Sequence, residues 1–431
     1  MRMGELRQTL AFATGLYRRR LGFAVHGYLG RDPVSRLHLR AGRDNPYAIY
    51  DRLRAQGTVV PTRIGNWVTT SHRVCNTVLR DRRFGVRNAD LTVGEASGDF
   101  SMSFLDMDPP DHTRLRRLAQ PAFSPRRMAG YRNRVEATVD GLLDRAGAEF
   151  DLVRAFAAPL PIAVITDLIG VPNADADRFS RYGAVIGSAL DGIHSLRHAA
   201  RLRAADEELR ALFEELFALR RVAPADDIVS RLVAAEGDQI QAAEMLPMCV
   251  LLLVAGFETT VNLVGNAVHA LLDHPQQWAA LCADPAGLAA AAVEETLRWD
   301  PPVQRTARCA GEDLELDGRR IGRGEYVVTL LAAANRDPEV YHNPDTFDIA
   351  RTPEADHLAF SSGIHYCVGQ PLARLEAIVA LQKLAERMPG LRRAGAVRRR
   401  TSSIVRGPKR LPVRSGAAAP VARAGNVAGA T

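Results

Sequence analysis

Apolar residues recur three and four apart along most of the chain and period-two alternation is scarce, so the pattern predicts a mainly α-helical fold. The longest helix is expected from Glu244 to His274, around the ten-residue apolar run Met248 to Phe257. A second spans Asp284 to Trp299 and is stopped by Asp300-Pro301-Pro302, because proline lacks an N–H and restricts the residue before it. A third follows Cys367: Leu372, Leu375, Ile378, Leu381 and Leu384 recur at helical spacing, Pro371 sits where a missing N–H is tolerated, and Gly390 ends the run. Thr113 to Ala223 reads as helices broken near Pro121, Pro125, Pro159-Leu160-Pro161 and Gly170-Val171-Pro172, and Asp226 and Asp227 can cap the helix that comes next. Strands are few: a hairpin of Val59–Arg63 with Trp67–Thr70, and a run from Tyr326 to Leu331. Leu91 to Asp108 predicts a long, mobile loop.

At 431 residues and 47% apolar content the chain supports a large core, expected as one domain over residues 45–414. No apolar run is long enough for a transmembrane segment. The net charge of +7 is unevenly placed, because residues 1–40 hold eight arginines against Glu5 and Asp32. The body is therefore close to neutral, and no nucleic-acid partner is expected. Residues 1–44 read as a basic arm that lies on the body or makes peripheral contact with an acidic membrane surface. No sustained apolar stretch follows Arg18-Arg19-Arg20, which argues against an export signal and for the cytoplasm. Five cysteines with no CxxC exclude a disulfide framework or a zinc site. Residues 415–431, rich in Ala and Gly, read as a disordered tail.

The candidate chemistry gathers around Phe360-Ser361-Ser362-Gly363-Ile364-His365-Tyr366-Cys367-Val368-Gly369. Cys367 precedes a helix, in a turn whose glycines let backbone amides approach the sulfur. Those amides and the helix dipole favour thiolate, which suits a nucleophile or a metal ligand. Within the long helix, Ala255-Gly256-Phe257-Glu258-Thr259-Thr260 puts polar groups into an apolar wall. A mid-helix threonine bonds a carbonyl three or four residues back, so the helix should bulge around a polar notch suited to proton delivery. Glu295 and Arg298 stand three apart on one helical face, and His112 and Arg116, four apart on another, would clamp an anion. Arg308 lies just past a proline-broken helix.

Ala-Gly-x-Glu-Thr-Thr, then Glu-x-x-Arg, then Phe-x-x-Gly-x-x-x-Cys-x-Gly, in this order, resembles the cytochrome P450 superfamily of haem-thiolate monooxygenases over about Asn45 to Pro412. The resemblance implies a helix-rich fold with a small β-rich lobe, and haem b between the long central helix and the cysteine loop. Cys367 would be the axial thiolate ligand. Phe360, Gly363, Gly369 and Ala255 would contact the haem, and His112, Arg116, Arg308 and His365 its propionates. Glu258 and Thr259 would be the catalytic acid–alcohol pair that relays protons. Glu295, Arg298 and Arg351 would form a buried structural ion cluster, Arg351 closing the segment Pro344-Asp345-Thr346-Phe347-Asp348-Ile349-Ala350-Arg351. Ser361 stands where the family often has glycine, and Ile349 where proline is common.

The resemblance further implies an external ferredoxin and ferredoxin reductase as electron donors, with Arg114, Arg117 and Arg374 as docking cations, and a hydrophobic small-molecule substrate to be hydroxylated or epoxidised. Substrate walls would come from Val86–Met107, Phe179–His198, Leu251–Ala255, Val303–Thr306 and Ser402–Val405, with Arg305 meeting an acidic group or solvent. The rival readings are a haem-thiolate peroxygenase or isomerase, a non-enzymatic haem sensor or carrier, and a cysteine hydrolase.

Overall fold

The computed structural model describes residues 14–416 apart from 16, 19, 31, 88–101, 173, 190–192 and 194. The first thirteen residues of the arm, most of the expected loop from Leu91 and the tail beyond 416 lie outside the described residues. Helices dominate: α1 (Pro33–Leu37), α2 (Arg40–Asp44), α3 (Tyr47–Arg54), α4 (His72–Arg80), α5 (Asp111–Ala119), α6 (Pro125–Arg145), α7 (Pro159–Ile169), α8 (Ala176–Ala189) and α9 (Leu196–Val222). They continue with α10 (Ile228–Ala234), α11 (Ala242–Asp273), α12 (Pro275–Ala283), α13 (Pro285–Trp299), α14 (Leu331–Ala334) and α15 (Gln370–Arg387).

Two of the prolines read as breaks, Pro125 and Pro159, are helix starts, and Pro285 and, as expected, Pro371 likewise occupy the first turn of a helix. Proline's fixed φ suits that turn, whose N–H groups have no partner in any case. Asp227 caps α10 by accepting from the Ser230 amide at 2.7 Å. Asp226 instead pairs with Arg127 and Arg231. Helix α11 is capped by a reciprocal Gln241–Glu244 box and packs against α7, α8, α13 and α15. By length and composition it could cross a membrane, yet 83% of its apolar window is buried inside the fold, so it is the core helix.

The main sheet runs β1–β2–β8–β5–β3, from β1 (Val60–Pro61), β2 (Trp67–Thr69), β3 (Phe84–Gly85), β5 (Thr306–Ala310) and β8 (Tyr326–Thr329). The hairpin pairs Val60 with Val68 as expected, while β2 and β8 run parallel. Among the described residues three further sheets are small and join strands the period-two pattern missed: β6 (Leu314–Leu316) pairs β7 (Arg319–Ile321), β10 (Arg398–Arg399) pairs β11 (Pro408–Arg410), and the third includes β9 (Arg392–Arg393). That third sheet joins β4 (Glu149–Asp151) to β12 (Pro412–Arg414), more than 250 residues away in sequence. Val34 and Leu37 of the arm share a core with Ile49, Tyr50 and Leu53 of α3.

Candidate active site

The residues read as the site fall mainly on two elements, the turn before α15 and a stretch of α11, and these two helices pack against each other. Cys367 donates its N–H to the Phe360 carbonyl at 2.9 Å, which closes the turn. Gly363 has φ +68°, and a Cβ there would sit 2.3 Å from the Leu79 carbonyl of α4. Ser361 also holds a positive φ of 65°, the reason glycine suits that place better. The Gly369 and Gln370 amides do reach the Cys367 sulfur, and Arg116 and Arg374 add positive charge. Burial nonetheless outweighs them and pushes the thiol pKa up, so the amides alone do not make the thiolate the sequence led us to expect; a coordinated cation would.

Cations converge beside this turn. His112 of α5 is buried and its ring centroid lies 4.3 Å from that of His365. Neither His112 nitrogen has a hydrogen-bond partner, nor does Nε2 of His365. Arg308 of β5 is buried and donates only to Thr306 Oγ1 at 3.3 Å and the Ala307 carbonyl at 2.9 Å. Burial drags its pKa down to about 10. Burial, then Arg308, His112 and Arg116, drive His365 down to about 3. Arg116 donates to the Tyr366 carbonyl. Asp108, the acid that Arg308 feels, is turned onto the amides of Val86 and Arg87. Buried donors and cations without an anion are costly, and a ligand with paired carboxylates would satisfy them. The site therefore fits haem propionates.

On α11, Ala255 is exposed in an otherwise buried stretch and Thr259 is half-buried. Both thus line open space, as does the half-buried Cys367. Thr259 Oγ1 donates to the Ala255 carbonyl at 2.9 Å and Thr260 Oγ1 to that of Gly256 at 3.2 Å, the back-bonding expected. The helix stays α-helical throughout, so the expected bulge is no break in it. Glu258 turns elsewhere: its Oε1 lies 2.6 Å from Arg400 of the C-terminal segment. Gly183 and Gly187 of α8 leave the room it occupies, since a Cβ at Gly187 would come within 3.1 Å of its side chain. Burial raises the Glu258 pKa, opposed by Arg400 and Asn262.

Behind the cysteine turn, Arg298 grips Glu295 in two hydrogen bonds of 2.7 and 2.8 Å. It also donates to the carbonyls of Asn335, Pro344 and Thr346. Arg351 reaches Glu295 at 3.4 Å, and the Asp348 amide donates to the same oxygen at 2.9 Å. The three expected residues thus form one ion cluster, buried at Glu295 and Arg298 and half-buried at Arg351, that ties α13 to the segment leading into the cysteine turn.

The comparisons with known proteins decide the family. The chain is 46% identical to cytochrome P450 107B1 of Saccharopolyspora erythraea over 329 residues, covering 74% of this chain and 79% of the relative. The chain belongs to the cytochrome P450 superfamily. A family profile, Cytochrome P450, matches residues 287–387 of this P450. The ligand-free crystal structure of Mycobacterium smegmatis CYP164A2 is similar at a TM-score of 0.82 and 41% identity, covering 89% of this chain and 99% of that one. The myxobacterial cytochrome P450 CYP267B1 in complex with myristic acid is similar at a TM-score of 0.81 and 37% identity, over 88% of this chain and 99% of the other. This P450 is therefore a monooxygenase whose cofactor is haem b with a cysteine thiolate as axial ligand.

Two of the cations read as docking groups are otherwise engaged. Arg114 pairs with Glu244 at 2.7 Å and Asp111 at 2.9 Å. Arg374 pairs with Glu294 at 2.6 Å and lies 4.6 Å over the Phe360 ring. Arg117 remains exposed. Sequence reasoning also missed Arg400, and it missed Glu294, which His357 and Arg374 hold at a pKa of about 2 against the cost of burial. The doublet Glu294-Glu295 was the available signal for Glu294. Arg400 had none, since its partner is 142 positions away.

Proposed function

We propose that this P450 inserts one atom of O2 into a hydrophobic organic molecule, by hydroxylation or epoxidation, with electrons supplied singly by a ferredoxin and its reductase. The observation that carries this reading is the group beside Cys367, where both ring nitrogens of His112 and Nε2 of His365 are buried without a hydrogen-bond partner and the buried Arg308 bonds neutral oxygens. Cys367 would supply the thiolate ligand; His112, Arg116, Arg308 and His365 would hold the propionates; Phe360, Gly363, Gly369 and Ala255 would contact the ring. Haem, when bound, supplies the redox chemistry, and its thiolate ligand favours O–O cleavage. One oxygen atom enters the product and the other leaves as water, so protons must be delivered. Thr259 does this at Oγ1 by exchanging its bond to the Ala255 carbonyl, and Glu258 resupplies it by leaving Arg400.

The substrate walls are largely apolar: Leu251–Val254 are buried and hydrophobic, and Val303 pairs with Val405 in a short bridge. Arg305 is buried and donates to Ser403 Oγ at 2.8 Å, which disfavours the solvent-facing alternative. Myristic acid in CYP267B1 supports a substrate of similar apolar character. The near-neutral body and the burial of α11 inside the fold support cytoplasmic placement.

The test is Cys367→His. It should retain some haem yet lose both the red-shifted absorbance of the reduced carbon monoxide complex and product formation with ferredoxin, reductase and NAD(P)H. An unchanged spectrum would refute the ligand assignment. Thr259→Ala should divert electrons to peroxide while peroxide-driven turnover survives; undiminished coupled product would refute the relay.

A further inference from the structure

Where described, residues 14–24 are helical and run directly into the π-turn Val25–Leu29. The inner side of this helix packs on the later part of the arm, which Val34 and Leu37 tie to the core. Phe23 stacks on His38 with ring centroids 4.1 Å apart, and Gly27 is buried against Leu39 and the α1 backbone. The outer side is different. Tyr17, Leu21 and Val25 stand four apart, followed by Tyr28 and Leu29, and all five are exposed; Leu29 is 82% exposed and Tyr28 68%. Helical spacing places them in one stripe. Isolated surface hydrophobics are ordinary, but a contiguous stripe is not.

Its charge says what covers it. Arg18 and Arg20 are exposed on the same turns, and residues 1–40 carry eight arginines against Glu5 and Asp32 in a chain of net charge +7. An apolar stripe framed by arginines on one helix matches a bilayer whose headgroups are anionic, since the side chains enter the acyl boundary while guanidiniums reach phosphate. A second copy of this chain would bring the same positive charge against itself. We infer that this arm is a peripheral docking surface for an anionic lipid bilayer, with Tyr17, Leu21, Val25, Tyr28 and Leu29 as the inserted side chains. The arm also abuts the substrate wall: His38 lies 3.3 Å from Arg305. Docking would set that end of the molecule against the phase where apolar molecules partition.

Flotation of the full-length holoprotein with vesicles tests this. Vesicles of phosphatidylcholine mixed with phosphatidylglycerol should carry the protein up, and pure phosphatidylcholine should carry far less. Raising salt from about 0.05 M to about 0.5 M should weaken binding. Leu21→Glu combined with Leu29→Glu should reduce partitioning about ten-fold or more, since charged side chains are not accommodated at the acyl boundary. Arg18→Glu should reduce it on anionic vesicles alone. Because these side chains are exposed, the variants should keep wild-type haem absorbance and thermal midpoint. No flotation with either vesicle, or flotation unchanged in the double variant, overturns the inference. So does self-association abolished by the double variant without any vesicle binding, which would assign the stripe to a second copy.

Discussion

Glu376 and Glu258 show what burial does to single carboxyls here. Glu376, on α15, is fully buried with neither oxygen partnered, and burial alone drives its pKa well above the usual range. The folded protein thus keeps a proton that the unfolded chain releases above about pH 4.3, so this residue's contribution to stability falls as pH rises. Glu376→Gln cannot ionise. Its thermal midpoint relative to wild type should improve from about pH 5 to about pH 8, and a difference that stays constant would mean Glu376 carries no retained proton. Glu258 has a raised pKa for the same reason, moderated by Arg400. Arg400→Ala should raise it further, at a cost of about 2 kcal/mol from the lost charged hydrogen bond. If Glu258 delivers protons, the alkaline limb of coupled product formation should move to higher pH, and Arg400→Lys should restore it. An unmoved limb would make the ion pair purely structural.

Among the elements, the segment between α13 and the cysteine turn depends on Arg298 more than on Arg351. Arg298 is buried and meets Glu295 with two bonds below 3 Å, whereas Arg351 reaches it at 3.4 Å and is also held by Glu354. Arg298→Ala leaves a buried carboxylate with only the Asp348 amide and the more distant Arg351 and should cost about 3–5 kcal/mol, with haem largely absent from the purified protein. Arg351→Ala should be milder and keep more haem. The haem-to-protein ratio and thermal unfolding measure both, and equal losses would show that Arg351 carries as much as Arg298. A similar tether acts further on, where Arg406 and Tyr47 both bond Asp300 at 2.8 and 2.6 Å. It fixes the segment that delivers Arg400 to Glu258.

For the whole molecule, charge is partitioned by location. The arm holds most of the net positive charge, and of the three arginines read as docking groups Arg114 and Arg374 are consumed by ion pairs. Arg117 is left exposed on α5, the helix that carries His112 and Arg116. Arg117→Glu should therefore slow reduction by ferredoxin several-fold at low salt and flatten its salt dependence, since exposed charges act mainly on encounter rates. A stopped-flow reduction rate that ignores the change would move the docking site elsewhere.

Helical periodicity was sufficient for α11, α13 and α15, because each is long and buries one apolar face or more. The cysteine motif with its two upstream companions was sufficient for the family, because glycine, cysteine and the Glu–Arg pair must each stand at fixed spacing for local reasons. What stayed hidden depends on partners far off in the chain. Two- and three-residue strands such as β4 and β12 have no periodicity to read; each exists because the other is beside it. The ion pair of Glu258 with Arg400, the neutralising of Arg374 by Glu294 and the protonation of Glu376 follow from burial and proximity, which tertiary packing alone sets. Sequence thus determined the family and named the candidate site residues. Only the folded structure decided their charge states and which of them stand without a partner.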